Sequence, residues 1–181
     1  MTSLVRPDLR LRESWAAAVG EFDGRMDGSG DWEVDRFDTS EGGAPAVVAA
    51  LLAKADPATV LPADRVDCTY FWITDREGAD EEFVGFLALR HSLTAWLLEE
   101  GGHIGYSVRP SRRREGHASR ALALAVRRAG ELGIERALVT CDDDNDPSRR
   151  TIERCGGVYE DTRNGKRRYW FDTAVQAPEE D

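Results

Sequence analysis

Residues 109–126, RPSRRREGHASRALALAV, place Arg112, Arg113, Arg114 and Arg120 around a helix start. A helix N-terminus carries about half a positive charge and four unpaired N–H groups, so acidic side chains ordinarily sit there. Here only Glu115 opposes the arginines. Two accounts fit: solvated guanidinium groups that point away, or a polyanion whose oxygens accept both backbone N–H bonds and guanidinium forks. Gly116 favours the second, because a residue without Cβ lets the backbone approach a ligand closely. The turn matches neither G-x-x-x-x-G-K-[ST] nor G-x-G-x-x-G, which removes the two common nucleotide loops. Asp142, Asp143 and Asp144 follow an apolar strand run, where α/β sites open; they suit a cationic amine or a plain solvated loop. The three His and three Cys show no paired zinc-ligand spacing, so no metal is expected.

The elements that must position these groups are legible in the pattern. Residues 8–20 read as an amphipathic helix, APAVVAALLAKAD as a second, and RVDCTYFWITD with EEFVGFLALRH as an antiparallel strand pair. SLTAWLLEEGG reads as a short helical connection and GGHIGYSVRP as a strand ended by Pro110. The helix from Gly116 to Leu132 carries Ala118, Ala121, Leu122, Ala125, Val126, Ala129 and Leu132 on one stripe. RALVTC suits a buried strand parallel to the one before, giving a βαβ unit. In DNDPSRRTIERCGG, Asp146 can cap a helix and Pro147 fits its first position; GVYEDTRNGKRRYWFDT reads as a hairpin turning at Asn164-Gly165. Residues 20–45, rich in Gly and Asp, read as a long irregular surface loop. The fold class is α/β (α+β), with one domain over residues 1–173 and an acidic tail over 174–181.

A net charge of −10 over 181 residues disfavours nucleic acid and anionic membranes as partners. The charged N-terminus lacks the apolar core of a signal peptide, and no window approaches a membrane span. Three widely spaced cysteines, Cys68, Cys141 and Cys155, suit a reducing cytoplasm.

RREGHA, Arg113 to Ala118, fits the Arg/Gln-x-x-Gly-x-Gly/Ala motif by which the GNAT superfamily of acetyl-CoA-dependent acyltransferases wraps the coenzyme's pyrophosphate. Its neighbours keep the family order: the strand GHIGYSVRP before, a helix after, then VTCDDDN and NDPSRRTIERCGG. The last resembles the family's second segment through Asn145, Ser148, Glu153 and Gly156. The resemblance covers residues 65–171 and the first two helices in outline. GGHIGYSVRPSRR looks closest to bacterial members known mostly as predicted acetyltransferases, and residues 20–45 match no motif.

The resemblance implies a mixed, mostly antiparallel sheet with a splayed parallel pair joined by the βαβ unit. It implies that the backbone of Tyr106, Ser107, Val108 and Arg109 faces acetyl-CoA, with the Val108 N–H aimed at the thioester oxygen. The backbone from Arg114 through Glu115, Gly116, His117 and Ala118 to Ser119, with the Arg113 and Arg114 side chains, would hold the pyrophosphate. Asn145 and Ser148 would contact the pantetheine or adenosine end. Histone-acetylating members use a Glu on this strand; His103 occupies the matching position and could accept a proton, or simply pack in the strand. Trp32 and Asp142 are the candidates for holding the acceptor. Many members carry a Tyr that protonates the departing thiolate, where this chain has Ile152; a thiol pKa near about 8.5 tolerates the loss. The implied activity is acetyl transfer from acetyl-CoA to a primary amine, small molecule or peptide and cationic, by direct attack in a ternary complex. A non-catalytic acyl-CoA sensor and an O-acyltransferase are the alternatives, and a homodimer stays open.

Overall fold

Strand-forming residues crowd into CTYFWITD and EFVGFLALR, and both become strands of the central sheet. The computed structural model describes residues 1–22, 26–30 and 37–174. Its elements run β1 (Ser3–Val5), α1 (Arg12–Val19), α2 (Ala44–Ala53), β2 (Cys68–Asp75), β3 (Glu82–Arg90), β4 (Ile104–Val108), α3 (His117–Glu131), β5 (Arg136–Asp142), α4 (Asp146–Arg154), β6 (Val158–Arg163) and β7 (Lys166–Asp172). The strands order as β1-β2-β3-β4-β5-β7-β6, antiparallel throughout except for β4 and β5.

That parallel pair decides where a ligand can enter. β4 and β5 meet at Ile104 opposite Val139, next to a His103 N–H bond to Leu138 O of 2.7 Å. Beyond it β4 continues to Val108 against β3, and β5 continues to Asp142 against β7. Each strand is held by its outer neighbour, so the two diverge and leave a gap.

Apolar residues fix the layers on either side. Ala121, Leu122, Ala125, Val126 and Ala129 of α3 pack on Leu87, Leu89, Ile104 and Val139. Burial of each large aliphatic side chain there contributes roughly 1.5–3 kcal/mol. The opposite face is covered by α1 and α2, where Trp15, Val19 and Val48 meet Trp72, Phe83 and Phe86. Trp15 and Trp72 stack with ring centroids 4.9 Å apart.

The structure revises several readings. Residues 3–5 form β1, which pairs with β2 and had no signal in so short a run. Leu132 leaves the α3 stripe and is half exposed. Asn145, not Asp146, caps α4, accepting from the Ser148 N–H at 3.1 Å. The helical connection after β3 narrows to a π-helical turn at Leu97–Gly101. The segment 20–45 is only partly a surface loop where it is described: Asp38, Ser40, Glu41 and Gly42 are exposed, but Phe22, Met26 and Ser29 are buried and α2 begins at Ala44. Gly28, at φ +80°, lies so close to the sheet that a Cβ would come within 2.5 Å of Gly105 O. Residues 175–181 of the acidic tail lie outside the described residues. No helix among the described residues is long and apolar enough to cross a membrane.

Candidate active site

The divergence of β4 from β5 opens a cleft of about 1180 Å³. One end is the start of α3, the middle is the β4 edge, and the far end is walled by Gly28, Arg90, Trp96 and Glu100.

At the first end the backbone does the work. Arg114 and Gly116 both adopt positive φ, +67° and +86°, which turns the chain sharply into α3. The first helical bond runs from the Arg120 N–H to Gly116 O. The N–H groups of His117, Ala118 and Ser119 therefore have no helical acceptor, and no acidic side chain lies in the first turn.

The arginines divide into two sets. Arg109 is buried; its guanidinium bonds Glu21 through two nitrogens and Glu82 at 3.0 Å. Arg112 binds Glu82, Asp75 at 2.7 Å and Glu115 at 2.9 Å. Arg109 holds the Glu21 carboxyl down at about 2, and Arg112 holds that of Asp75 well below the usual carboxylate range. Glu21 also accepts from the Ser111 N–H at 2.9 Å. This set clamps the loop to α1, β2 and β3. Arg113, Arg114 and Arg120 form the other set, exposed and without a carboxylate partner among the described residues. Arg113 donates through Nε to Val108 O at 3.1 Å, and Arg120 to Glu115 O at 3.1 Å.

Along β4, the Arg109 N–H bonds Val84 O on the β3 side. By strand alternation Tyr106 and Val108 present their N–H and C=O groups to the other side, into the gap. The Tyr106 hydroxyl meets Ser148 Oγ at 3.0 Å beneath it, and burial pushes the phenol up. Cys141 also lines the cleft, its thiol pushed up to about 11 by burial.

Sequence-based candidates thus separate. Val108, Arg113, Arg114, Gly116, Ala118, Ser119, Asn145 and Ser148 line one cleft. Glu115 and His117, expected to hold the coenzyme through their backbone, also line the cleft, whereas Arg109 is a correction: its N–H bonds Val84 O of β3 and it is absent from the lining. Arg109 and Glu115 belong to the clamp, and buried His117 bonds Thr2 Oγ1 at 3.0 Å through Nδ1, leaving only its backbone N–H for a ligand. Ser107 pairs with Phe86 of β3 and spends its hydroxyl on Asp27 O at 2.8 Å. Asp142 is ion-paired with Lys166, so it offers no free anion to an amine. His103 is also corrected. It is buried and absent from the cleft lining, and its Nδ1 accepts the Leu138 N–H at 2.9 Å. A neutral imidazole that accepts at Nδ1 carries its proton on Nε2, so no lone pair remains for a substrate proton. Burial, with Arg90 nearby, pushes its pKa down to about 4. Ile152 is fully buried in the core. Trp32 lies outside the described residues.

Arg90, Trp96, Glu100 and Gly28 were not anticipated. Arg90 reads as an ordinary charged strand end, and Gly28 as one of many loop glycines; only the folded register brings them to the cleft.

A family model described as an acetyltransferase (GNAT) domain matches residues 14–158. Curated proteins give no significant sequence match. Among solved structures, the microcin C7 self-immunity acetyltransferase MccE, in complex with acetyl-CoA and AMP, shares 14% identity at a TM-score of 0.64, covering 94% of this chain and 92% of that one. Mycobacterium smegmatis RimJ, in complex with CoA-disulfide, shares 20% at 0.64, covering 97% and 87%. A Salmonella typhimurium acetyltransferase that modifies the N-terminal serine of ribosomal protein L7/L12 shares 16% at 0.60, covering 94% of each chain. At such identities the likeness is one of fold.

Proposed function

The chain belongs to the GNAT acetyltransferase family, and on that premise we propose that it transfers an acetyl group from acetyl-CoA directly to a primary amine held in the same cleft. One observation supports the reading: the gap between β4 and β5 leads straight to a helix start whose N–H groups, with Arg113, Arg114 and Arg120, lack anionic partners among the described residues. A pyrophosphate supplies the missing anion there, held by the backbone from Arg114 to Ser119 and by Arg113 and Arg114. Acetyl-CoA supplies the activated thioester that a neutral amine can attack. The Val108 N–H, fixed in the strand and turned into the gap, is placed to stabilise developing negative charge on a carbonyl oxygen without reorganising.

Direct transfer is supported by the state of Cys141, the cysteine facing the cleft. At pH 7 a thiol pushed up to about 11 stays protonated, so it is a poor nucleophile for an acyl-enzyme. With His103 committed to Leu138, the amine arrives neutral from solution. The rate should therefore climb with pH toward the amine's own pKa, with no plateau from a base near about 6.5. Cys68, Cys141 and Cys155 are not joined to one another by disulfides, which suits a reducing compartment.

Calorimetric titration with acetyl-CoA tests the first half, and a flat isotherm at millimolar coenzyme refutes it. Thiol release across an amine panel tests the second. Binding without release favours the non-catalytic sensor, for which the buried Ile152, with no acid side chain in the place of a Tyr, is the specific support.

A further inference from the structure

Eight arginines of the described chain are buried or half-buried, and seven of them have carboxylate partners. The exception is Arg90, at the end of β3 on the face that α1 and α2 cover. Its Nη1 donates to Gly101 O at 3.0 Å and Gly102 O at 3.1 Å. Those bonds use a single nitrogen, and among the described residues no carboxylate stands within ion-pair reach of the group. The guanidinium lies over Gly105, where an ideal Cβ would be 3.6 Å from Nη1 and 3.8 Å from Nη2. Nε and Nη2 have no hydrogen-bond partner among the described residues, and Arg90 lines the cleft together with Trp96 and Glu100. A half-buried cation without a counter-charge is costly unless a ligand provides one.

We infer that Arg90 receives a carboxylate of the acceptor, so that the substrate is an amine bearing a carboxylate several bonds from the reacting nitrogen. The free edge of a guanidinium matches a carboxylate's two oxygens. A single arginine next to Glu100 suits a monoanion better than a phosphate dianion. The spacing sets the size. From Gly105 to Val108 is three strand residues, about 10 Å. That excludes an α-amino acid reacting at its α-amine, where both groups share one carbon. It fits an ω-amino acid, or a short peptide that reacts at its N-terminus and is read at its C-terminus.

The inference rests on the acetyl-transfer reading, and the experiment separates the two. Thiol release with acetyl-CoA is measured for 6-aminohexanoate and its amide, and for triglycine and its amide, in the natural protein and in Arg90→Gln. The expected result is kcat/KM about 10–100-fold higher for the acid than for the amide in one or both pairs. The pair that discriminates identifies the source of the carboxylate. Arg90→Gln should bring that ratio close to one, while acetyl-CoA affinity by calorimetry stays within about twofold. Arg90→Lys, which keeps the charge without the fork, should fall between and serves if the Gln variant does not fold. Equal rates for acid and amide in the natural protein overturn the inference and leave acetyl transfer standing. So does an Arg90→Gln variant that slows both alike, the mark of a mere tie to Gly101 and Gly102. Transfer to no amine at all, with coenzyme bound, overturns acetyl transfer and the inference together.

Discussion

At the scale of single residues, His103 shows how a side chain can look catalytic in sequence and be structural in the fold. Its position on the strand matches a base in related enzymes, but the ring turns toward β5 and bonds Leu138. Nothing in HIGYSV encodes that rotation, because it depends on where the parallel strand begins to diverge. The consequence is thermodynamic. A histidine pushed down to about 4 in the folded protein but near 6.5 when unfolded binds more protons unfolded. Stability contributed this way is present above about pH 6.5 and lost as pH falls toward 4, on the order of 3 kcal/mol in all. His91, also lowered by burial, adds in the same direction, and Glu21 adds a later loss as pH falls from about 4.5 toward 2. Urea titrations at pH 7, 5.5 and 4.5 should show the natural protein weakening over this range and His103→Gln weakening less. The pH dependence of acetyl transfer should keep its shape in that variant. A lost ionisation in the rate profile would restore His103 as the base.

At the scale of elements, legibility followed periodicity. The α3 stripe and the apolar β2 and β3 runs were readable because each repeats a local pattern over many residues, and the hairpin because Asn164-Gly165 is a favoured two-residue turn. β1, three residues long, has no period to read. The segment 20–45 misled for a different reason: its Gly and Asp content signals a loop, while Phe22, Met26 and Gly28, which bury it, are scattered singly. Of the residues that line the cleft, Arg113, Gly116 and Ala118 could be picked out because they sit together in sequence, and Val108, Asn145 and Ser148 through the order of the motifs, whereas Gly28, Arg90, Trp96 and Glu100 are scattered and could not. Even at the helix start, charge alone did not separate Arg112, which clamps, from Arg114, which is free; the carboxylates that decide it lie up to 37 residues away. Gly116 tests the helix start as a unit. A Cβ there would meet only the movable end of Arg120 at 3.1 Å, so space is available, but φ +86° is strained for any other residue. Gly116→Ala should cost about 1–2 kcal/mol in chemical denaturation. It should also weaken acetyl-CoA binding, because relief of the strain moves the same N–H groups that we propose hold the pyrophosphate. Unchanged affinity in a destabilised variant would mean that those groups do not hold the coenzyme.

At the scale of the whole molecule, the chain carries −10 and yet its proposed coenzyme is a polyanion. The two are compatible only if local charge outweighs the total. The clamp arranges this: carboxylates that neutralise Arg109 and Arg112 sit behind the loop, while Arg113, Arg114 and Arg120 remain uncompensated in front of it. In the proposed complex those cations would face the phosphates directly, whereas acidic groups beyond the ~10 Å over which 0.1 M salt screens would act only weakly. Raising ionic strength first removes the distant repulsion and then weakens the near attraction. Acetyl-CoA affinity should therefore change little up to about 0.1 M salt and fall several-fold toward about 1 M, where the screening length drops to roughly 3 Å. Arg114→Gln should flatten the high-salt fall and lower affinity at every concentration. An affinity that rises steadily with salt would show that the net charge dominates, and the pyrophosphate site would then have to lie elsewhere on the molecule.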